Sequence, residues 1–104
     1  MILFHCSPCD NETTIRALGL DLDFCQTAVH AIWLVTHSRL NWALRHASTR
    51  HNVAPDEIDV WRVRVSRRKV ARYGRGIWLS RVDVPPSALT LTLHDGITGM
   101  RRRA

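Results

Sequence analysis

The chain has 104 residues, enough for one domain, and 45% of them are hydrophobic, which supports a core and excludes wholesale disorder. No apolar run approaches the roughly 20 residues of a membrane helix, and residues 1–6 lack the basic start and long apolar stretch of a signal peptide, so a cytoplasmic protein is expected. Net charge is +6, and the three cysteines, Cys6, Cys9 and Cys25, are too few and odd in number for a secreted disulfide scaffold.

Taken in chain order, Ile2-Leu3-Phe4 predicts a short buried strand ending at His5, and Ser7-Pro8-Cys9-Asp10 a turn. Asn11 or Asp10 is placed to cap a helix through Thr13–Leu18, with Gly19 as its left-handed stop. Residues 20–29 read as irregular. Ala31-Ile32-Trp33-Leu34-Val35 is apolar throughout and predicts a second strand buried on both faces. Ser38 then caps a longer helix over about Arg39–His51, with Leu40, Ala43, Leu44 and Ala47 as its core stripe. Arg39, Arg45, His46 and Arg50 fall mostly elsewhere on its surface. Val53–Asp56 is a loop.

Ile58–Val65 predicts a third strand, with Trp61, Val63 and Val65 on one face and Val60, Arg62 and Arg64 on the other. Arg67–Tyr73 reads as a turn or short helix ending at Gly74 and Gly76, and Ile77–Val82 as a fourth strand. Pro85-Pro86 forces a break. Leu89-Thr90-Leu91-Thr92-Leu93 alternates and predicts a half-exposed last strand, followed by a turn at Asp95-Gly96 and a frayed basic tail over 100–104. The expected architecture is therefore α+β: a small mixed or antiparallel sheet with two helices, in one domain over residues 1–99.

Charge placement says more than net charge. Residues 1–30 carry Asp10, Glu12, Asp21 and Asp23 against Arg16, whereas no acid occurs between Val60 and Val82. That stretch holds Arg62, Arg64, Arg67, Arg68, Lys69, Arg72, Arg75 and Arg81, a composition suited to phosphate-bearing partners such as RNA or DNA. The plainer alternative is a solvated face, or pairing with Asp21 or Asp23. The four tryptophans are read first as core or interface residues, with base stacking as the alternative. His37, His46, His51 and His94 show no ligand spacing.

Several short pieces recur in a meaningful order: His5-Cys6-Ser7-Pro8, Ile15-Arg16-Ala17-Leu18-Gly19-Leu20, Ala31-Ile32-Trp33-Leu34, Arg75-Gly76-Ile77-Trp78-Leu79-Ser80 and Val84-Pro85-Pro86. In that order they resemble the NAD-binding core of the ADP-ribosyltransferase superfamily, closest to the nucleotide lobe of RNA 2′-phosphotransferases. The resemblance implies a minimal ADP-ribosyltransferase-like fold that takes NAD as a substrate and transfers ADP-ribose to a phosphate-bearing or nucleic-acid acceptor. It implies that His5 holds the nicotinamide-side ribose, by donating to a hydroxyl, and that the Cys6 backbone pairs with the carboxamide. Ser7 would lie near the adenosine ribose and Trp33 would stack on the nicotinamide. One or more of Arg72, Arg75 and Arg81 would neutralise phosphate; apart from the resemblance, the charge placement makes Arg62, Arg64, Arg67, Arg68 and Arg72 the candidate nucleic-acid or phosphate contacts. The glutamate of the classical family pattern has no counterpart in this sequence, as in the phosphotransferase-like branch.

Two other readings remain open. One is a non-enzymatic, basic nucleic-acid-binding domain. The other is a zinc-stabilised interaction module, since Cys6, Cys9, Cys25 and His30 approach zinc-ribbon spacing; the atypical C-x4-H half leads us to expect no stoichiometric metal.

Overall fold

A computed structural model describes residues 1–24 and 31–92. Six strands form one sheet: β1 (Ile2–Pro8), β2 (Ile32–Val35), β3 (Ile58–Arg64), β4 (Val70–Gly74), β5 (Ile77–Ser80) and β6 (Leu89–Thr92), in spatial order β4-β5-β2-β1-β3-β6. Every pairing is antiparallel. With helices α1 (Glu12–Leu18) and α2 (Leu40–His51), this is the expected α+β class.

The sheet is covered on both faces, so its central strands are apolar on both sides. One face packs Leu3, Ile32, Leu34, Trp61, Val63 and Trp78 against Ile15 of α1, Leu20 and Val84. The other packs Phe4, Cys6, Ile58 and Val60 against Leu40, Leu44 and Ala47 of α2. Of the predicted helical stripe, Leu44 and Ala47 are buried and Leu40 packs against them, whereas Ala43 is only half-buried.

Several local expectations change. β1 does not stop at His5 but runs on to Pro8, because seven consecutive residues pair with β3, from Ile2↔Arg64 to Pro8↔Ile58. His5 is therefore a mid-strand residue. The predicted turn is displaced to a 3-10 turn over Cys9–Asn11. Asn11 makes no side-chain cap to α1; its amide donates instead to the Ser7 hydroxyl at 3.0 Å. Ser38 likewise does not cap α2: it lies inside a 3-10 turn, His37–Arg39, with its hydroxyl on that of Thr36. The segment read as a turn or short helix contains a 3-10 turn, Arg67–Lys69, and then β4, an edge strand whose middle residues are exposed.

Gly19 does take a positive φ, 76°, and a Cβ there would lie 2.0 Å from the Val84 carbonyl oxygen. Its absence lets the end of α1 press against the Val84–Pro86 backbone, where Leu20 and Val84 exchange two hydrogen bonds of 2.9 Å. The last residue of the predicted final strand, Leu93, and the tail over 100–104 lie outside the described residues. No helix among the described residues is long and apolar enough to cross a membrane.

Candidate functional site

β1 and β2 are neighbours in the sheet, yet they register at one pair, Phe4↔Val35. Beyond it the residues His5–Pro8 and 31–33 border a cleft of about 1080 Å³ instead of continuing the ladder. The cleft reaches both layers. Its α1 side carries Asp10, Asn11, Thr14 and Asp21; its α2 side carries Trp42, His46, Arg50 and His51. One wall is thus acidic and hydroxyl-bearing, the other cationic and aromatic.

His5, Cys6, Ser7 and Trp33 all line this cleft, although Trp33 lies 28 residues from His5. The His5 imidazole spans the gap where the ladder stops: Nδ1 lies 3.0 Å from the Trp33 carbonyl oxygen. A carbonyl only accepts, so Nδ1 carries the proton and, in the neutral ring, Nε2 is an acceptor. Burial holds the His5 pKa below its usual value; the Trp33 carbonyl opposes this and the nearby His51 charge adds to it. At neutral pH His5 is therefore an uncharged ring with a fixed tautomer. The sequence expectation that it donates to a ligand hydroxyl is corrected: the free nitrogen accepts.

Ser7 is buried, with its oxygen accepting from Asn11. The Cys6 side chain packs into the α2-side core, and burial pushes its thiol up to about 12, so that only its backbone is suited to a polar ligand. Cys9 donates its thiol proton to the buried Asp59 at 3.0 Å. Trp33 is half-buried and meets Tyr73 of β4 edge-to-face, with centroids 4.8 Å apart and planes at 74°. Across the β1–β3 ladder from His5 stands Trp61, whose ring Arg16 overlies at 5.6 Å.

The arginines do not gather around the cleft. Arg75 is exposed in the β4–β5 turn, outside the cleft lining, and its carbonyl accepts from Arg39 Nε at 2.9 Å. Arg62 and Arg64 project from the same face of β3 as Val60, toward the α2 layer. Arg72 is paired with Trp78 and stands on the opposite face, where Arg67 also lies, 5.1 Å over the Trp78 ring. The basic stretch is thus divided between the two faces of the sheet by the alternation along each strand, and spread across it because three strands lie between β3 and β4. Among the described residues Asp21 forms no ion pair with it; its carboxylate accepts from the Asp23 backbone.

Sequence reasoning missed the α2 wall, where Trp42, His46 and Arg50 enter the cleft. The signal was present in their spacing of four, which puts them on one side of a helix. The zinc alternative depends on Cys25 and His30, which lie outside the described residues; among those described, no three His, Cys, Asp or Glu side chains are grouped to hold a metal.

No family model, curated protein or solved structure matches this chain.

Proposed function

We propose that the cleft binds NAD and supports transfer of ADP-ribose to a phosphate-bearing or nucleic-acid acceptor, in the cytoplasm. The observation that carries this reading is the convergence of His5, Cys6, Ser7 and Trp33 on one cleft, tied by the His5–Trp33 hydrogen bond at the point where β1 and β2 part. In this reading His5 Nε2 accepts from a hydroxyl of the nicotinamide-side ribose. Trp33, held by Tyr73, covers the nicotinamide face, and the Cys6 backbone meets the carboxamide. The nicotinamide–ribose bond breaks with its electron pair leaving on nicotinamide. An acceptor oxygen or nitrogen then attacks the resulting oxocarbenium-like carbon and releases its proton to solvent. The chain contributes positioning and electrostatics. Among the described arginines it is Arg50 that borders the cleft, and not Arg72, Arg75 or Arg81, to one or more of which the sequence alone gave the phosphate-facing role.

The test is isothermal calorimetry with NAD on the wild type and on His5→Ala. Wild type should bind at millimolar NAD or better, and His5→Ala should bind at least about tenfold more weakly, the loss of one good hydrogen bond. Folded wild type that gives no heat and no chemical-shift change with millimolar NAD ends this reading.

The non-enzymatic alternative is favoured by Arg62, Arg64 and Arg68, which are exposed and form no ion pair among the described residues. Binding of RNA or DNA without NAD turnover would select it. Replacing Arg67 and Arg68 by alanine would then flatten the log–log salt dependence by about 0.7–0.9 per lost phosphate contact.

A further inference from the structure

α2 carries an unusual stripe. Arg39, just before its first residue, and Trp42, His46 and Arg50 are spaced three, four and four apart, so they lie along one side. This is not the core side, which Leu44 and Ala47 occupy. Trp42 is 39% exposed, and its indole stacks on the His46 ring with centroids 5.1 Å apart and planes within 21°. The Arg39 guanidinium lies 5.9 Å from the Trp42 centroid, and its Nε is anchored on the Arg75 carbonyl. Trp42, His46 and Arg50 all border the cleft. α2 contains no Asp or Glu.

We propose that this ladder of flat rings between two guanidinium groups seats a single strand of nucleic acid, RNA or DNA, and delivers it to the cleft. A base stacks on the Trp42 face in place of the Arg39 guanidinium, which turns to a phosphate, and the strand runs on past His46 toward the cleft. This deepens the transfer reading and rests on it for the step that follows binding: it names the acceptor. The charge fits a polyanion, and the parallel rings single out nucleic acid among polyanions, since an acidic peptide offers nothing planar to stack. From Arg39 to Arg50 the helix rises about 16 Å, the length of four to five stacked bases at about 3.4 Å each.

The experiment is fluorescence anisotropy of the full chain, without NAD, using labelled eight-nucleotide single-stranded RNA and DNA over a salt series. Inorganic polyphosphate and an oligoglutamate peptide serve as competitors. At low salt at least one strand should bind; a preference between the two identifies the source. Trp42→Leu should weaken strand binding about tenfold, the loss of one base stack, with an unchanged circular dichroism spectrum. Trp42→Phe should retain most of the affinity, and polyphosphate binding should not respond to either change. His46→Ala supplies the same comparison should Trp42→Leu not fold. The proposal is overturned if neither strand binds, if both ring variants match wild type, or if polyphosphate or oligoglutamate displaces the strand equally well charge for charge. Because NAD is absent, this outcome is read separately from the calorimetry: a chain that fails with NAD and passes here keeps the ladder and loses the transfer reaction.

Discussion

The two edges of β1 could hardly differ more. Toward β3 it is registered over seven consecutive pairs; toward β2 it has one. Backbone N–H and C=O groups need partners wherever they are shielded from water, so where the ladder stops those groups turn to side chains or solvent. Here one gap-side carbonyl is met by an imidazole, and the space beyond is a cleft. The same strand therefore secures the fold along one edge and walls the site along the other. Stability should map to the β3 side and ligand affinity to the β2 side.

The largest expected effect lies on the closed edge. Trp61→Ala, at a position 2% exposed, should cost about 3–5 kcal/mol in urea unfolding. The contrast between edges breaks if Trp33→Ala, on the open side, costs as much. Next is Gly19→Ala, which brings a methyl against the Val84 carbonyl at a positive φ and should cost about 2–3 kcal/mol. Gly74→Ala, where an added Cβ meets nothing within 4 Å, is the control and should be close to neutral.

The third expectation concerns acid. The folded His5 pKa lies below the unfolded value of 6.5, so the unfolded chain binds the proton first. The stability held by neutral His5 is complete above pH 6.5 and declines as pH falls from there toward the folded pKa. His51 shifts the same way, through desolvation and the charges of Arg50 and His46. Urea midpoints should therefore drop between pH 7.5 and 5.5, and His5→Asn, whose amide can still donate to Trp33, should reduce that drop. A wild-type midpoint independent of pH would show that the imidazole is not held neutral. The smallest effect is Arg67→Ala: loss of its position over the Trp78 ring should cost about 0.5–1 kcal/mol, measured by the same denaturation. An equal loss in Arg62→Ala would remove the distinction between a stacked and a solvated arginine.

What was legible in the sequence was what depends on local pattern. The apolar runs at Ile2–Phe4, Ala31–Val35 and Ile77–Val82 and the mixed pattern at Ile58–Val65 each hold a strand, and of the predicted stripe Leu40, Leu44 and Ala47 form the buried side of α2 while Ala43 lines the cleft. β4 was not legible, because an edge strand with Ala71, Arg72 and Tyr73 exposed shows no burial periodicity. Nor was the extension of β1 through Ser7-Pro8, which depends on partners more than fifty residues away. Within the site, the motif order placed His5, Cys6, Ser7 and Trp33 at one cleft, but the proton position on His5 needed the Trp33 carbonyl. The arginines read as one patch in sequence because they are adjacent along the chain. The sheet order then spread them across the sheet, and the alternation along each strand divided them between faces.

That order also bears on how the chain reaches its fold. β1 is synthesised more than fifty residues before β3 and becomes a central strand, and its ladder closes only when Arg64 arrives to meet Ile2. Translation at about 5–20 residues per second leaves β1 without its main partner for several seconds or more. Such long-range closure predicts slow folding for a chain of this size. During that interval Leu3, Phe4 and Cys6 offer an unpaired apolar edge to whatever is nearby, so yield in a cell should respond to temperature and chaperone supply before it responds to the chemistry of the cleft.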